Sequence, residues 1–330
     1  MTKNIDCTAA IELLHSSEKI IITTHINPDG DAIGSALALY NLVVANGKEA
    51  HIFISESAAP ANYKFLANSK QIKMYNPEIH SKHIYSADAI FLLDLSDISR
   101  IKTMSNVVLN STARKTLIDH HIFPNNFADL IINDPTASST GELIYYFIKQ
   151  TKGKITKEIA EALYSAIYTD TAGFRFSTTP EIHRIVAELL ECGIDSDYIY
   201  DKIYNTNSRS KIKLQGLALN AMEYHLDGKL ILMPISSEMF KKTQTIDKDT
   251  EGFSQITLTV ENALVGVLLV ESEEKREIRI SLRSKGNINV RDVAAKYAGG
   301  GHLNAAGCRL QETSLETAKQ IIINEIKQII

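Results

Sequence analysis

Short, continuous apolar runs alternate with helically spaced ones along the first half of the chain. Ile20-Ile21-Ile22-Thr23-Thr24 reads as a strand, and Ala32 to Val44 follows with the spacing of a buried helix. His51 to Ile54, Ala89 to Leu93 and Lys115 to Ile118 are further strands, and Glu158 to Tyr168 has helical spacing through Ile159, Leu163, Ala166 and Ile167. Apolar strands interleaved with helices predict an α/β domain whose parallel sheet is covered on both faces. Glu181 to Cys192 predicts another helix, stopped by Gly193.

The pattern then changes. A polar stretch, Asn205 to Ser210, precedes a helix predicted over Lys211 to Glu223. Lys229 to Pro234, Ile256 to Val260, Leu264 to Val270 and Glu277 to Arg283 read as strands close together, and a last helix is expected within Ser314 to Ile330. The expected organisation is a catalytic domain over 1–204, a linker and connecting helix over 205–222, and a smaller α+β domain over 223–330.

Composition narrows the function classes. With 330 residues, 44% hydrophobic and 22% charged, the chain has enough material for two cores. No apolar run approaches the ~20 residues of a membrane span. The amino terminus lacks the apolar core of a secretory signal. Three separated cysteines, Cys7, Cys192 and Cys308, form no C-x-x-C pair, which argues against a zinc-thiolate site and for a reducing compartment, so a cytoplasmic location is expected. A net charge of −4 argues against binding long duplex nucleic acid. No membrane partner is expected, and a homodimer is left open.

The candidate chemistry lies just past the predicted strands. His25, Asp29 and Asp31 follow the first, Asp94 ends Ile90 to Leu93 with Asp97 close behind, Asp119-His120-His121 ends Thr116 to Ile118, and Asp170 lies at a helix end. Open α/β sheets bind ligands along that carboxyl edge. Taken singly, each segment has an ordinary explanation: Asp-Gly-Asp as a turn, an aspartate after a strand as a helix cap, a buried histidine as a satisfied polar group. Together they would be a repelling cluster of carboxylates unless cations neutralise it. Mixed imidazole and carboxylate donors suit manganese, iron or zinc better than calcium.

These segments resemble the DHH phosphoesterase superfamily. Its first motif is similar to Thr24-His25-Ile26-Asn27-Pro28-Asp29-Gly30-Asp31, its second to Asp94-Leu95-Ser96-Asp97, its name-giving third to Asp119-His120-His121, and its fourth to Tyr168-Thr169-Asp170-Thr171. The resemblance implies two divalent metal ions, manganese being expected. One would be held by His25, Asp29 and Asp94, the other by Asp31, Asp94, His120 and Asp170, with Asp94 bridging. Asp119 and His121 are implied as support and as phosphate or leaving-group contacts. The implied reaction is metal-assisted hydrolysis of a phosphate ester.

A second signal lies near the carboxyl terminus. Consecutive glycines Gly299, Gly300 and Gly301 before His302 let a backbone approach a ligand closely. Arg279 and Arg283 alternate with apolar residues, so both lie on one strand face. Ser281 to Gly286, Asn289-Val290 and the Gly-Gly-Gly-His run resemble the DHH-associated substrate domain of the nano-RNase and pAp-phosphatase branch, which implies Arg283 and His302 as nucleotide contacts. Short oligoribonucleotides and 3'-phosphoadenosine 5'-phosphate (pAp) are the substrates this implies. A cyclic di-AMP or linear dinucleotide phosphodiesterase shares nearly all these motifs and stands as the alternative. A non-catalytic nucleotide sensor is the more distant one.

Overall fold

The computed structural model describes residues 5–56, 59–122 and 124–330, in two compact units, Met1–Thr206 and Asn207–Ile330. The first holds β1 (Lys19–Thr24), β2 (Glu49–Ile54), β3 (Ile72–Met74), β4 (Ala89–Leu93), β5 (Arg114–Asp119) and β6 (Leu130–Asn133). They form one sheet in the order β3-β2-β1-β4-β5-β6, with every pairing parallel. β1 and β4 are buried almost throughout, as expected of central strands covered on both faces.

Eight helices accompany the sheet among the described residues: α1 (Thr8–Ser16), α2 (Gly30–Ala45), α3 (Pro77–Tyr85), α4 (Ser105–Asn110), α5 (Thr140–Gln150), α6 (Lys157–Asp170), α7 (Pro180–Glu191) and α8 (Ser196–Tyr204). One face carries the larger core, with Leu37, Leu143, Phe147, Leu163 and Ile185 from α2, α5, α6 and α7. The other is smaller, built of Phe53, Ile84, Ile90, Met104 and Leu117. Gly34 makes the α2–α6 contact close: a Cβ there would overlap the Ala162 carbonyl and lie 2.9 Å from the Ala166 nitrogen.

The strand order has a consequence for the site. The chain moves outward from β1 through β2 to β3, then returns to lay β4 on the other side of β1. The segments leaving β1 and β4 therefore part in opposite directions, which opens a crevice between the carboxyl ends of these neighbours.

The second unit begins with α9 (Arg209–Asn220), followed by β7 (Glu223–His225), β8 (Leu230–Ile235), α10 (Ser237–Thr243), α11 (Phe253–Thr257), β9 (Val265–Ser272), β10 (Glu277–Ser284), α12 (Val290–Ala295), β11 (Gly300–His302), β12 (Ala305–Gln311) and α13 (Leu315–Ile326). Its sheet has the order β11-β12-β10-β9-β8-β7, antiparallel except for the β8–β9 pair. Leu214 and Ala218 of α9 pack with Met233, Phe253 and Leu268, so this helix belongs to the core of the second unit. It ends at Asn220, and Glu223, expected at its end, starts β7.

One predicted strand is the end of a helix and a turn. Ile256 to Val260 reads as β from its β-branched residues, yet Phe253–Thr257 is α11. Phe253 and Thr257 are both buried on the side packed on the sheet, and the Thr257 side chain occupies the space a Cβ at Gly266 of β9 would need. Tertiary packing overrides local propensity here.

Candidate metal centre

Each acidic segment is delivered by a strand or helix end. β1 ends at Thr24, and buried His25 follows. Its Nδ1 lies 2.7 Å from the Ile26 carbonyl. Donation through that nitrogen leaves Nε2 facing Asp94, 3.4 Å from Oδ2. Asp29 caps α2, accepting from the Ala32 amide at 3.1 Å. Asp31 stands in the first turn of α2, almost fully buried.

Asp94 leaves β4 with φ +57°, a left-handed conformation that costs a non-glycine residue about 1 kcal/mol. His120 and His121 follow β5. His120 Nε2 is 3.8 Å from Asp31 Oδ2, 3.8 Å from Asp94 Oδ1 and 3.5 Å from Asp170 Oδ2. Asp170, the last residue of α6, is brought there by the close α2–α6 packing. His121 is held from behind by Asp119, Nδ1 to Oδ1 at 2.6 Å.

The electrostatics show what such crowding does. Burial pushes the Asp31 carboxyl well up, and Asp94, Asp170 and Asp29 add to the push. Burial likewise raises Asp170 to about 6, with His120 opposing and Asp94 adding. Burial also works against charge on Asp94, but the facing His25 ring and the nearby His121 and His120 imidazoles win and hold it down at about 2. Burial disfavours protonated His25, yet Asp94 and Asp29 raise it overall.

The donors fit divalent cations. Three groups of ligand atoms, His25–Asp29–Asp94, Asp31–His120–Asp170 and Asp94–His120–His121, each lie within 4.8 Å of one another. The Asp94 and His120 separations of 3.4 to 3.8 Å exceed hydrogen bonds. They are close to the spacing of ligand atoms that share an ion at about 2.1 Å. Asp94 belongs to two of the groups, and so does His120. His121 thus stands within ligand reach as well as against Asp119. Asp97 is set apart, capping the turn after β4 through the Ser99 amide at 2.7 Å and accepting from Asn125.

One part of the site was missed in the sequence. The start of α5 is aimed at Asp31: the Thr140 and Gly141 amides donate to its two oxygens at 2.6 and 2.8 Å, and Ser35 Oγ adds a third donor at 3.2 Å. Thr140 Oγ1 donates to Asp94 Oδ1 at 3.1 Å. Ser139-Thr140-Gly141-Glu142 is a readable helix-start pattern, with Ser139 Oγ accepting from the Glu142 amide. Nothing in that pattern says where the freed amides point.

In the second unit, Arg279 and Arg283 do lie on one face of β10, but their surroundings differ. The Arg279 fork is engaged by Asp247 at 2.7 Å, Thr250 and Ser281. Arg283 donates to the Leu282 carbonyl and has no carboxylate partner among the described residues. The glycine run is the edge strand β11 and its approach. A Cβ at Gly299 would overlap the Gly307 carbonyl, and Gly301, at φ +141°, packs on Ala305 and Ala306, so protein packing alone accounts for two of the three glycines. Gly300 faces open space, and His302 is exposed.

Comparison with known proteins identifies the family. The model of the DHH family, N-terminal domain, matches residues 19–167, and that of the DHHA1 domain matches residues 243–328. The chain belongs to the DHH family and is a phosphoesterase, a hydrolase. It is 30% identical over 312 residues to the bifunctional oligoribonuclease and PAP phosphatase NrnA of Thermus thermophilus, covering 94% of this chain and 89% of that protein. It is 25% identical to the cyclic-di-AMP phosphodiesterase PdeA of Listeria monocytogenes over 96% of this chain but 48% of that one. The crystal structure of an exopolyphosphatase-related protein from Bacteroides fragilis superposes with a TM-score of 0.95 at 37% identity, covering 99% and 98% of the two chains. No helix among the described residues is long and apolar enough to cross a membrane.

Proposed function

We propose that the protein hydrolyses the phosphate esters of short oligoribonucleotides and of pAp, using two divalent cations, manganese foremost. The observation that carries this is the pair of ligand groups, His25–Asp29–Asp94 and Asp31–His120–Asp170, set beside each other at the crevice between β1 and β4. Bound cations would supply neutralisation of phosphoryl oxygens and a nucleophile at neutral pH. The chain's own residues do the rest. Asp94, held ionised by its imidazoles, is the shared carboxylate. Asp119 fixes the His121 ring, and His121 is then placed to contact the phosphate or the leaving oxygen. In this reading residues 1–204 form the metal-holding domain. Residues 223–330 grip the nucleotide through Arg283, Gly300 and His302, and Arg279 holds the strand that presents Arg283.

The names of similar proteins support both a nano-RNase/pAp-phosphatase reading and, secondarily, a cyclic di-AMP one. The deciding experiment is phosphate and mononucleotide release from pAp, a dinucleotide, a pentanucleotide, cyclic di-AMP and pyrophosphate, with manganese or magnesium. Turnover of pAp and the short RNAs is expected to lead. Preference for cyclic di-AMP would move the assignment to the second reading, and no turnover of any of them with either ion would refute both.

A further inference from the structure

The opposite end of the parallel sheet carries a second concentration of ligating side chains. Glu49 and His51 open β2, two residues apart and on one face. β3 pairs with β2 only from Ile52 onward, so this part of β2 has an open edge. Across it lies α3, whose His80 and His83 are three apart and share a helix face. His80 stacks on Phe53, centroids 4.4 Å apart, and its Nδ1 accepts from the Asn76 amide at 3.0 Å, so it serves packing. His83 instead sits against His51, centroids 4.5 Å apart.

We propose that Glu49, His51 and His83 form a divalent-cation site of the zinc type, separate from the catalytic centre, that clips α3 to β2. One ligand atom from each residue lies within 4.8 Å of the others. His51 Nε2 and Glu49 Oε1 are already 2.9 Å apart. Ligand atoms about 2.0–2.1 Å from a tetrahedral zinc stand about 3.3 Å apart, so a small rotation of exposed Glu49 and of His83 closes the set. Two imidazoles, one carboxylate and an open position for water make up a familiar zinc donor set. Both rings are half-buried, which fixes their orientation while leaving the front open. Burial, His51 and Lys82 push the His83 imidazole towards its neutral, ligating form, against Glu49. Lys73 and Lys82 oppose a cation here, and Glu49 offsets one of them.

The ion has structural work to do. α3 fully buries only Ile84 and leaves Ile79 and Tyr85 exposed, so its apolar anchorage is slight. A bond from His83 to β2 would tie together two positions, His51 and His83, that lie far apart in the sequence. Glu49 begins β2, whereas His25 and Asp94 follow strand carboxyl ends. The site is therefore remote from hydrolysis.

Cobalt substitution tests this. A three-protein-ligand tetrahedral site gives intense visible d–d bands, whereas six-coordinate ions held largely by carboxylates give weak ones. Wild-type protein titrated with Co2+ is expected to show the intense bands, and His83→Gln and His51→Gln should each lose them. Asp94→Asn, which strikes the proposed catalytic pair, should keep them. Zn2+ should raise the melting temperature of manganese-saturated wild-type protein but not that of His83→Gln, whose manganese-dependent turnover should stay within twofold of wild type. Absence of intense bands in the wild type overturns the proposal, as does their loss in Asp94→Asn with retention in His83→Gln. Failure of the catalytic reading would appear separately, as absent turnover with the cobalt bands intact.

Discussion

Thr140 offers the sharpest test of how the centre is held. Its side chain is fully buried, and its hydroxyl donates to Asp94 Oδ1 while its amide donates to Asp31. Thr140→Val keeps the shape and the amide and removes only the hydroxyl. Hydrogen bonds to charged groups contribute ~1.5–3 kcal/mol, and no water can take the place of this donor in a buried, methyl-filled position. Asp94 is thereby freed to rotate away from the position that serves both ligand groups. At 1.4 kcal/mol per factor of ten, manganese affinity should weaken about 10- to 100-fold, the usual range when the partner of a metal ligand is lost.

The assay is calorimetric titration of chelator-stripped protein with Mn2+, alongside kcat/KM on a dinucleotide at saturating metal. Thr140→Ser, which restores the donor, should return most of the affinity. A Thr140→Val protein that is folded and binds manganese as wild type does would refute the claim that this contact orients Asp94. So would equal losses in the Val and Ser variants, which would point to packing rather than to the hydroxyl.

Further outcomes are expected. Asp94→Asn, whose side chain tolerates the left-handed backbone at φ +57°, should keep the fold by circular dichroism and lose nearly all turnover and tight metal binding; normal metal content with wild-type rate would sink its role. Because Asp170 is raised to about 6, protons compete with the ion, so manganese affinity should fall as pH drops through about 6, up to about tenfold per unit for each proton displaced. The raised pKa also means the folded metal-free state binds more protons than the unfolded one, so its melting temperature should fall as pH rises from the ordinary carboxylate range to about 6, and manganese should abolish that slope. Gly34→Ala should press α6 away from α2, costing ~1–3 kcal/mol in denaturant melts and lowering kcat by displacing Asp170. Arg279→Ala should mainly destabilise the second unit through loss of the Asp247 and Thr250 contacts, whereas Arg283→Ala should leave the melt unchanged and reduce kcat/KM on a dinucleotide about 10- to 100-fold, the equivalent of one charge-assisted contact, with less effect on bis-p-nitrophenyl phosphate.

Much of the first unit is legible because its central strands are buried on both faces. Ile20–Thr24 and Ala89–Leu93 have no solvent side, so they appear as unbroken apolar runs. The edge strands gave no such signal: Ile72–Met74 is three residues long with two exposed, and Leu130–Asn133 is only half-buried. In the second unit, Ala305–Gln311 gives no strand signal because it opens on small residues, Ala305, Ala306, Gly307 and Cys308, on which Gly299 and Gly301 pack closely. The ligand segments could be placed at the carboxyl edge from the strand ends alone. The contribution of α5 could not, since the partners Asp31 and Thr140 are 109 residues apart. Arg279 shows the reverse limit: alternation places it beside Arg283, but only the fold shows that Asp247 engages its fork.

These partners also bear on how so acidic a crevice is held together. Asp31 is buried among other carboxylates, yet two amides of the α5 amino terminus and Ser35 meet its oxygens. Such amides are unpaired at any helix start, and the helix dipole favours negative charge there. Asp94 is stabilised differently, by the three imidazoles of His25, His120 and His121. The two carboxylates most central to the cluster thus have separate hydrogen-bonding partners, yet burial and its acidic neighbours still push Asp31 well up, and Asp170 is raised to about 6, so both hold protons towards neutral pH. A bound cation would displace those protons and meet ligands already oriented. The left-handed backbone at Asp94 is tolerable for the same reason: the contacts around its carboxylate over-determine its position.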